Sequence, residues 1–165
     1  MALNAHHVSY MAFSLPAALL LGALGFQYFG GLAPCDLCID QRWAHLAACG
    51  AGLCAVVLHK YSGVLTGLSA LGMLASGIIA VNHSGVERKW WSGPSSCSGN
   101  IDADLSPEAY LEAIKNAPIV SCGDIAWSFA GLSMANYNAI ISISAAIIIG
   151  IYFWLTRQSS SSTSQ

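Results

Sequence analysis

Apolar and polar positions fall in long blocks along this chain. Four apolar stretches, at about Tyr10 to Gly30, Gln41 to His59, Gly63 to Val81 and Asn138 to Leu155, are each close to the roughly 20 residues that carry a helix across a bilayer core. Helices are the predicted form, because an open strand in lipid leaves backbone groups unpaired. The pattern therefore predicts an all-α membrane protein, a four-transmembrane-helix bundle, with residues 1–158 as a single domain. Four crossings place both termini on one side, and loops 31–40 and 82–137 together on the other. The long loop joins helices three and four. Gly63, Gly67 and Gly72, with Gly22 and Gly25, are small enough for neighbouring backbones to approach, and Pro16 is expected to kink the first helix.

The polar stretches have their own organisation. Ser106-Pro107-Glu108 reads as a helix start, with a capping hydroxyl, proline at the first helical position and an acid in the first turn. Tyr110, Leu111 and Ile114 give that short helix an apolar stripe, suited to a membrane surface or to a lid over the loop, and Pro118 stops it. Residues 159–165 are Ser-rich and are expected to form a disordered polar tail.

Composition agrees with the blocks: 55% of residues are hydrophobic and 8% charged, with a mean hydropathy of +0.58, far from the averages of soluble domains. Six Lys and Arg against eight Asp and Glu leave no basic surface for nucleic acid. The basic residues do not orient the chain: Lys60 and Arg157 lie on the terminal side, but Arg42, Arg88, Lys89 and Lys115 lie on the loop side.

Candidate chemistry lies in those loops. Cys35-Asp36-Leu37-Cys38 stands at the mouth of the second helix, where CxxC spacing allows a disulfide and the helix dipole favours a thiolate. Arg42 follows Cys38 by one helical turn on the same face, where a guanidinium stabilises both a thiolate and a developing oxyanion. Asp36 and Asp40 oppose it. Cys97 and Cys122 lie in the long loop, and two cysteine pairs outside the apolar blocks suggest thiol exchange between them. Stable pairs belong in an oxidising compartment, so the loops are assigned to a periplasm-like exterior and the termini to the cytoplasm. His45 and His83 are candidates to hydrogen-bond a bound carbonyl. Cys49 and Cys54 lie too deep to join the exchange and are read as packing residues; Trp90, Trp91 and Trp127 read as an interfacial belt.

The chain resembles the bacterial disulfide bond formation protein B (DsbB) family. The resemblance rests on Pro34-Cys35-Asp36-Leu37-Cys38-Ile39-Asp40-Gln41-Arg42, on Gly85-Val86-Glu87, on Trp91-Ser92-Gly93-Pro94 before Cys97, and on Trp127 to Met134 after Cys122. It implies a multi-pass protein of the bacterial inner membrane that reoxidises a periplasmic thioredoxin-fold partner, DsbA-like, and passes the electrons to ubiquinone or menaquinone. It also implies disulfides Cys35–Cys38 and Cys97–Cys122, with Cys97 attacked by the partner, Cys122 exchanging with Cys35, and Cys38 facing the quinone. No resident metal is expected. The rival readings are a zinc site built from the four loop cysteines, haem held by His45 and His83, and a scaffold with structural disulfides.

Overall fold

The computed structural model of the chain describes residues 5–94, 106–116 and 120–162. Cys97, Pro118 and residues 163–165 lie outside the described residues, as do the side chains of Tyr110 and Ile114. Among the described residues there are four long helices: α1 (Ala5–Tyr28), α2 (Asp36–Val57), α3 (Ser62–Glu87) and, last in the order, α5 (Met134–Ser162). A 3-10 turn over His59–Tyr61 joins α2 to α3. The short helix α4 spans Pro107–Asn116, and Ser106 Oγ accepts from the Ala109 amide, as the capping pattern predicts. Two two-residue strands, β1 (Ser128–Phe129) and β2 (Leu132–Ser133), form an antiparallel hairpin directly before α5. Its turn residues Ala130 and Gly131 both have positive φ, 49° and 79°, the backbone twist that suits a two-residue hairpin.

The packing is that of a bundle bathed in lipid. Its interior is built from small and polar residues, including Ala12, Ala48, Ala70, Ala80, Ser69, Ser76 and Ser142, while Leu21, Leu53, Leu71, Ile78, Ile147 and Ile151 stand exposed on the outside. In water such a surface would be an aggregation liability; in a bilayer, small interfaces and large apolar exteriors are expected. α1, α3 and α5 are long and apolar enough to cross a membrane. α2 is not among them, because its first turns carry Asp36, Asp40, Gln41, Arg42 and His45. The chain is thus a mostly helical membrane protein.

Close approach does not follow the glycines expected from sequence. A Cβ at Gly22, Gly25 or Gly67 would meet nothing within 4 Å, and one at Gly63 would only touch Phe153. Gly72 does meet a neighbour, Ala48 of α2. The tightest helix contact is at Gly52, whose Cβ would lie 2.6 Å from the Ala12 carbonyl carbon and 2.7 Å from Phe13 Cα of α1. That Ala12 carbonyl also accepts from Ser69 Oγ of α3 at 2.7 Å, so three helices meet there.

The helices outrun the apolar blocks at the loop end. α3 continues through Asn82-His83-Ser84 to Glu87, because these polar side chains find partners inside the bundle: His83 on Gln41 and Ser84 on Asn136. α5 likewise begins at Met134, capped by Ser133, whose Oγ accepts from the Asn136 amide at 3.3 Å. At its other end α5 carries Ser159 to Ser162 as helix, where composition predicts a disordered tail; extending an existing helix adds one hydrogen bond per residue fixed.

Candidate active site

The α2 sequence places Leu37, Gln41, His45, Ala48, Gly52 and Ala55 on its buried stripe. Cys35 is the residue that caps this helix, its sulfur accepting from the Cys38 amide at 3.4 Å, so Cys38 stands in the first turn. The two thiols are unbonded, and Cys35 Sγ donates to Cys38 Sγ at 2.9 Å. Both stand ahead of the apolar part of α2. That hydrogen bond lowers the Cys38 thiol to about 7, helped by a backbone contact from Cys35 and by the charge on Arg42, and opposed by burial and by Glu87. The same bond, with burial, pushes the Cys35 thiol up. The pair therefore holds its shared proton on Cys35 and presents the thiolate at Cys38. The opposing carboxylate is Glu87, brought over from α3, in place of the adjacent Asp36 and Asp40.

Cys122 is disulfide-bonded and fully buried in one apolar cluster with Cys35, Leu37 and Val86, against which Cys38 packs. The long loop thus delivers its second cysteine to the buried side of the CxxC. His83 lies between the two: its Nε2 is 3.6 Å from Cys35 Sγ, and its ring also meets the Cys122 backbone. The Gln41 amide nitrogen sits 3.0 Å from His83 Nδ1; since an amide nitrogen only donates, Nδ1 accepts and the ring proton falls on Nε2, toward Cys35.

A cavity of about 440 Å³ opens beside this cluster, bounded by Cys38, Arg42, His45, His83, Glu87 and Trp127 among others. Its size is ordinary for a small-molecule site. Trp127 packs against Phe26 and Tyr137 and stacks with Phe129, so it is an aromatic wall of the cavity. Trp90 and Trp91 are exposed. Arg42 donates to Gln27 Oε1 and, at 3.3 Å, to the Ala23 carbonyl, which ties α2 to α1 while its charge reaches Cys38.

Behind the cavity runs a buried polar network that sequence reading missed. Asn138 of α5 donates to Gln41 Oε1 at 2.7 Å and to Ser76 at 3.2 Å, and accepts from His45 Nε2 at 2.9 Å and Ser142 at 2.8 Å. His45 Nδ1 is the one buried side-chain polar atom without a hydrogen-bond partner among the described residues. Glu87 is held from the hairpin side by Ser133 Oγ. Of the expected site residues, the fold gathers Cys35, Cys38, Cys122, Arg42, His45 and His83 around one cluster and cavity; Cys97 lies outside the described residues. Cys49 is half-buried and Cys54 exposed on the outer face, so neither reaches the site.

These features have close counterparts. A family model described as disulfide bond formation protein DsbB matches residues 5–152. A protein named disulfide bond formation protein B from Polaromonas naphthalenivorans (strain CJ2) is 32% identical over 146 residues, covering 80% of this chain and 83% of that one. Another so named, from Azoarcus sp. (strain BH72), is 29% identical over 157 residues, covering 88% and 90%. A protein of Rickettsia prowazekii (strain Madrid E), named only as uncharacterized, is 27% identical over 133 residues, covering 79% and 77%. No solved structure matches the chain.

Proposed function

The chain belongs to the disulfide bond formation protein DsbB family, and we propose that it reoxidises a periplasmic thioredoxin-fold dithiol partner, DsbA-like, and passes the electrons to a membrane quinone. Membership makes it a membrane oxidoreductase of disulfide formation. The finer reading adds four membrane crossings, α2 being the most polar, in the bacterial inner membrane, with the cysteine loops periplasmic and the termini cytoplasmic. Residues 1–158 then act as one domain.

The relay runs in balanced steps. A partner thiolate attacks Cys97 of a Cys97–Cys122 disulfide, and Cys122 leaves as a thiolate. The partner's second thiol resolves that bond and departs oxidised. Cys122 attacks Cys35 Sγ, breaking the Cys35–Cys38 disulfide, and Cys38 leaves as the thiolate, the better leaving group because its thiol is the more acidic of the pair. Cys97 then resolves the Cys35–Cys122 bond, leaving Cys35 and Cys38 as the dithiol. The observation that carries this order is the burial of Cys122 against Cys35 in one cluster, with Cys35 and Cys38 both lining the cavity and the charge of Arg42 reaching Cys38.

The cavity fits a quinone head. Its wall is largely apolar, Arg42 supplies charge beside Cys38, and the unpaired His45 Nδ1, an acceptor while Nε2 donates to Asn138, is a buried polar atom whose missing partner is a hydroxyl donor such as that of the quinol. Arg42, His45 and His83 are the residues assigned to hold it. Quinone supplies a two-electron, two-proton acceptor that leaves as quinol while Cys35 and Cys38 re-form their bond. Anaerobic mixing of detergent-purified protein with a reduced thioredoxin-fold dithiol and a quinone tests the reading. One quinol formed per dithiol oxidised is expected; dithiol oxidation without loss of quinone absorbance overturns it.

A further inference from the structure

The reduced pair has a third soft donor beside it that thiol exchange alone does not require. The sulfurs of Cys35 and Cys38 and a ring nitrogen of His83 all lie within 4.8 Å of one another. Cys35 and His83 are 5% and 4% exposed, so their donor atoms are shielded from bulk competitors, while the cavity they line leaves a way in. Glu87 Oε1 stands 4.0 Å from His83 Nε2, and Ser133 holds the other carboxylate oxygen. Two thiolates and one imidazole supply three of the four donors that zinc takes, and the Glu87 carboxylate lies next to the imidazole.

We propose that, once reduced, Cys35, Cys38 and His83 form a zinc site, with Glu87 or water in the fourth position, that holds the pair out of thiol exchange until the ion leaves. This rests on the reading that the pair passes through a dithiol state. Thiolate and imidazole select a borderline-soft ion over calcium or magnesium. Binding converts two thiols into two zinc-bound thiolates and releases two protons to water. The two thiolates balance the ion's charge, which a buried site requires. Gln41 completes the arrangement: with its amide and that of Asn138 both turned over, the Gln41 carbonyl oxygen accepts from His83 Nδ1, its NH2 donates to Asn138 Oδ1, and His83 Nε2 is left free to ligate, the usual support for a metal-bound imidazole. In the oxidised state the two sulfurs are bonded to each other and the donor set is gone, so metal binding reports redox state.

Other imidazoles in the chain require a probe that sees sulfur. His6 and His59 pack ring against ring, with centroids 5.1 Å apart, and offer nitrogen donors with no thiolate. Cobalt(II), titrated anaerobically into the full-length protein in detergent, distinguishes the two through its thiolate-to-metal charge-transfer band. The reduced protein is expected to develop that band to one equivalent, zinc to displace the cobalt, and the oxidised protein to show none. His83→Gln should weaken zinc at least about tenfold, since losing a ligand exceeds the loss of a supporting contact; Cys54→Ala should change nothing. No thiolate band in the reduced protein, an equal band in the oxidised protein, or unchanged affinity in His83→Gln overturns the site. Should His83→Gln fail to fold, Cys38→Ser serves in the same titration, and a surviving band of full intensity overturns it equally. Quinone reduction by the metal-free dithiol protein is read separately: cobalt binding without it upholds the site and overturns the quinone reading.

Discussion

Replacing Asn138 by leucine tests whether the buried polar network serves the cavity or merely fills space. The substitution nearly conserves volume and removes every side-chain hydrogen bond of the hub. Three of these bonds cross between helices, to Gln41, Ser76 and His45. Interhelical bonds in membrane proteins average roughly 0.6 kcal/mol each, so their loss lowers unfolding free energy by about 2 kcal/mol. His45 keeps Ser76 at 3.0 Å but loses the contact that fixes its ring against the cavity, and Gln41 loses the contact that steadies it under His83. Stability in detergent should therefore fall by that amount, and the KM for quinone should rise several-fold, while one stoichiometric round of partner oxidation stays intact. Unfolding in mixed micelles, alongside steady-state kinetics against quinone concentration, reads both. A variant as stable as the parent with an unchanged quinone KM would refute the role given to the network.

Other outcomes follow from the same geometry. Arg42→Met removes the charge beside Cys38 and the ties to Gln27 and Ala23; quinone KM should rise about tenfold or more in protein that still folds, and an unchanged KM assigns Arg42 to anchoring α1 alone. Cys38→Ser should abolish quinone reduction, followed by quinone absorbance, while partner mixed disulfides still form on non-reducing gels. Gly52→Ala drives a methyl into the α1 backbone, an overpacking of about 1–3 kcal/mol against a helix-propensity gain of at most about 1 kcal/mol, so it should destabilise, whereas Gly67→Ala, with open space around it, should not; equal melting temperatures for the two would contradict the helix contact at Ala12.

Much of the site was legible in sequence because local spacing carried it. CxxC followed by Arg one turn later fixes Cys38 and Arg42 on one helix face, and Ser106-Pro107-Glu108 marks α4 at its first residue. Partnerships across the bundle were not legible in the same way. Gln41 and Asn138 each look like a polar residue at the edge of an apolar block, and only the pairing of α2 with α5 shows that each satisfies the other. His83 was a candidate from sequence, but that it and Glu87 stand on the third helix facing the cysteines was hidden by the end of the apolar block, since the helix continues wherever its polar residues find buried partners. Gly52 stands four residues after Ala48, a small-residue spacing that the sequence reading passed over, and it makes the closest helix-to-helix approach because of what faces it.

The central claim is that electrons pass from the loop to the CxxC through a direct Cys122–Cys35 contact in a buried cluster. Its most direct test is the Cys97→Ser, Cys38→Ser double variant, which leaves Cys122 and Cys35 as the two unpaired members of the relay. Mild anaerobic oxidation followed by peptide mapping under non-reducing conditions should find a Cys35–Cys122 disulfide in most molecules. Cys122 recovered as a free thiol, or paired with Cys49, Cys54 or a second chain, would contradict the relay.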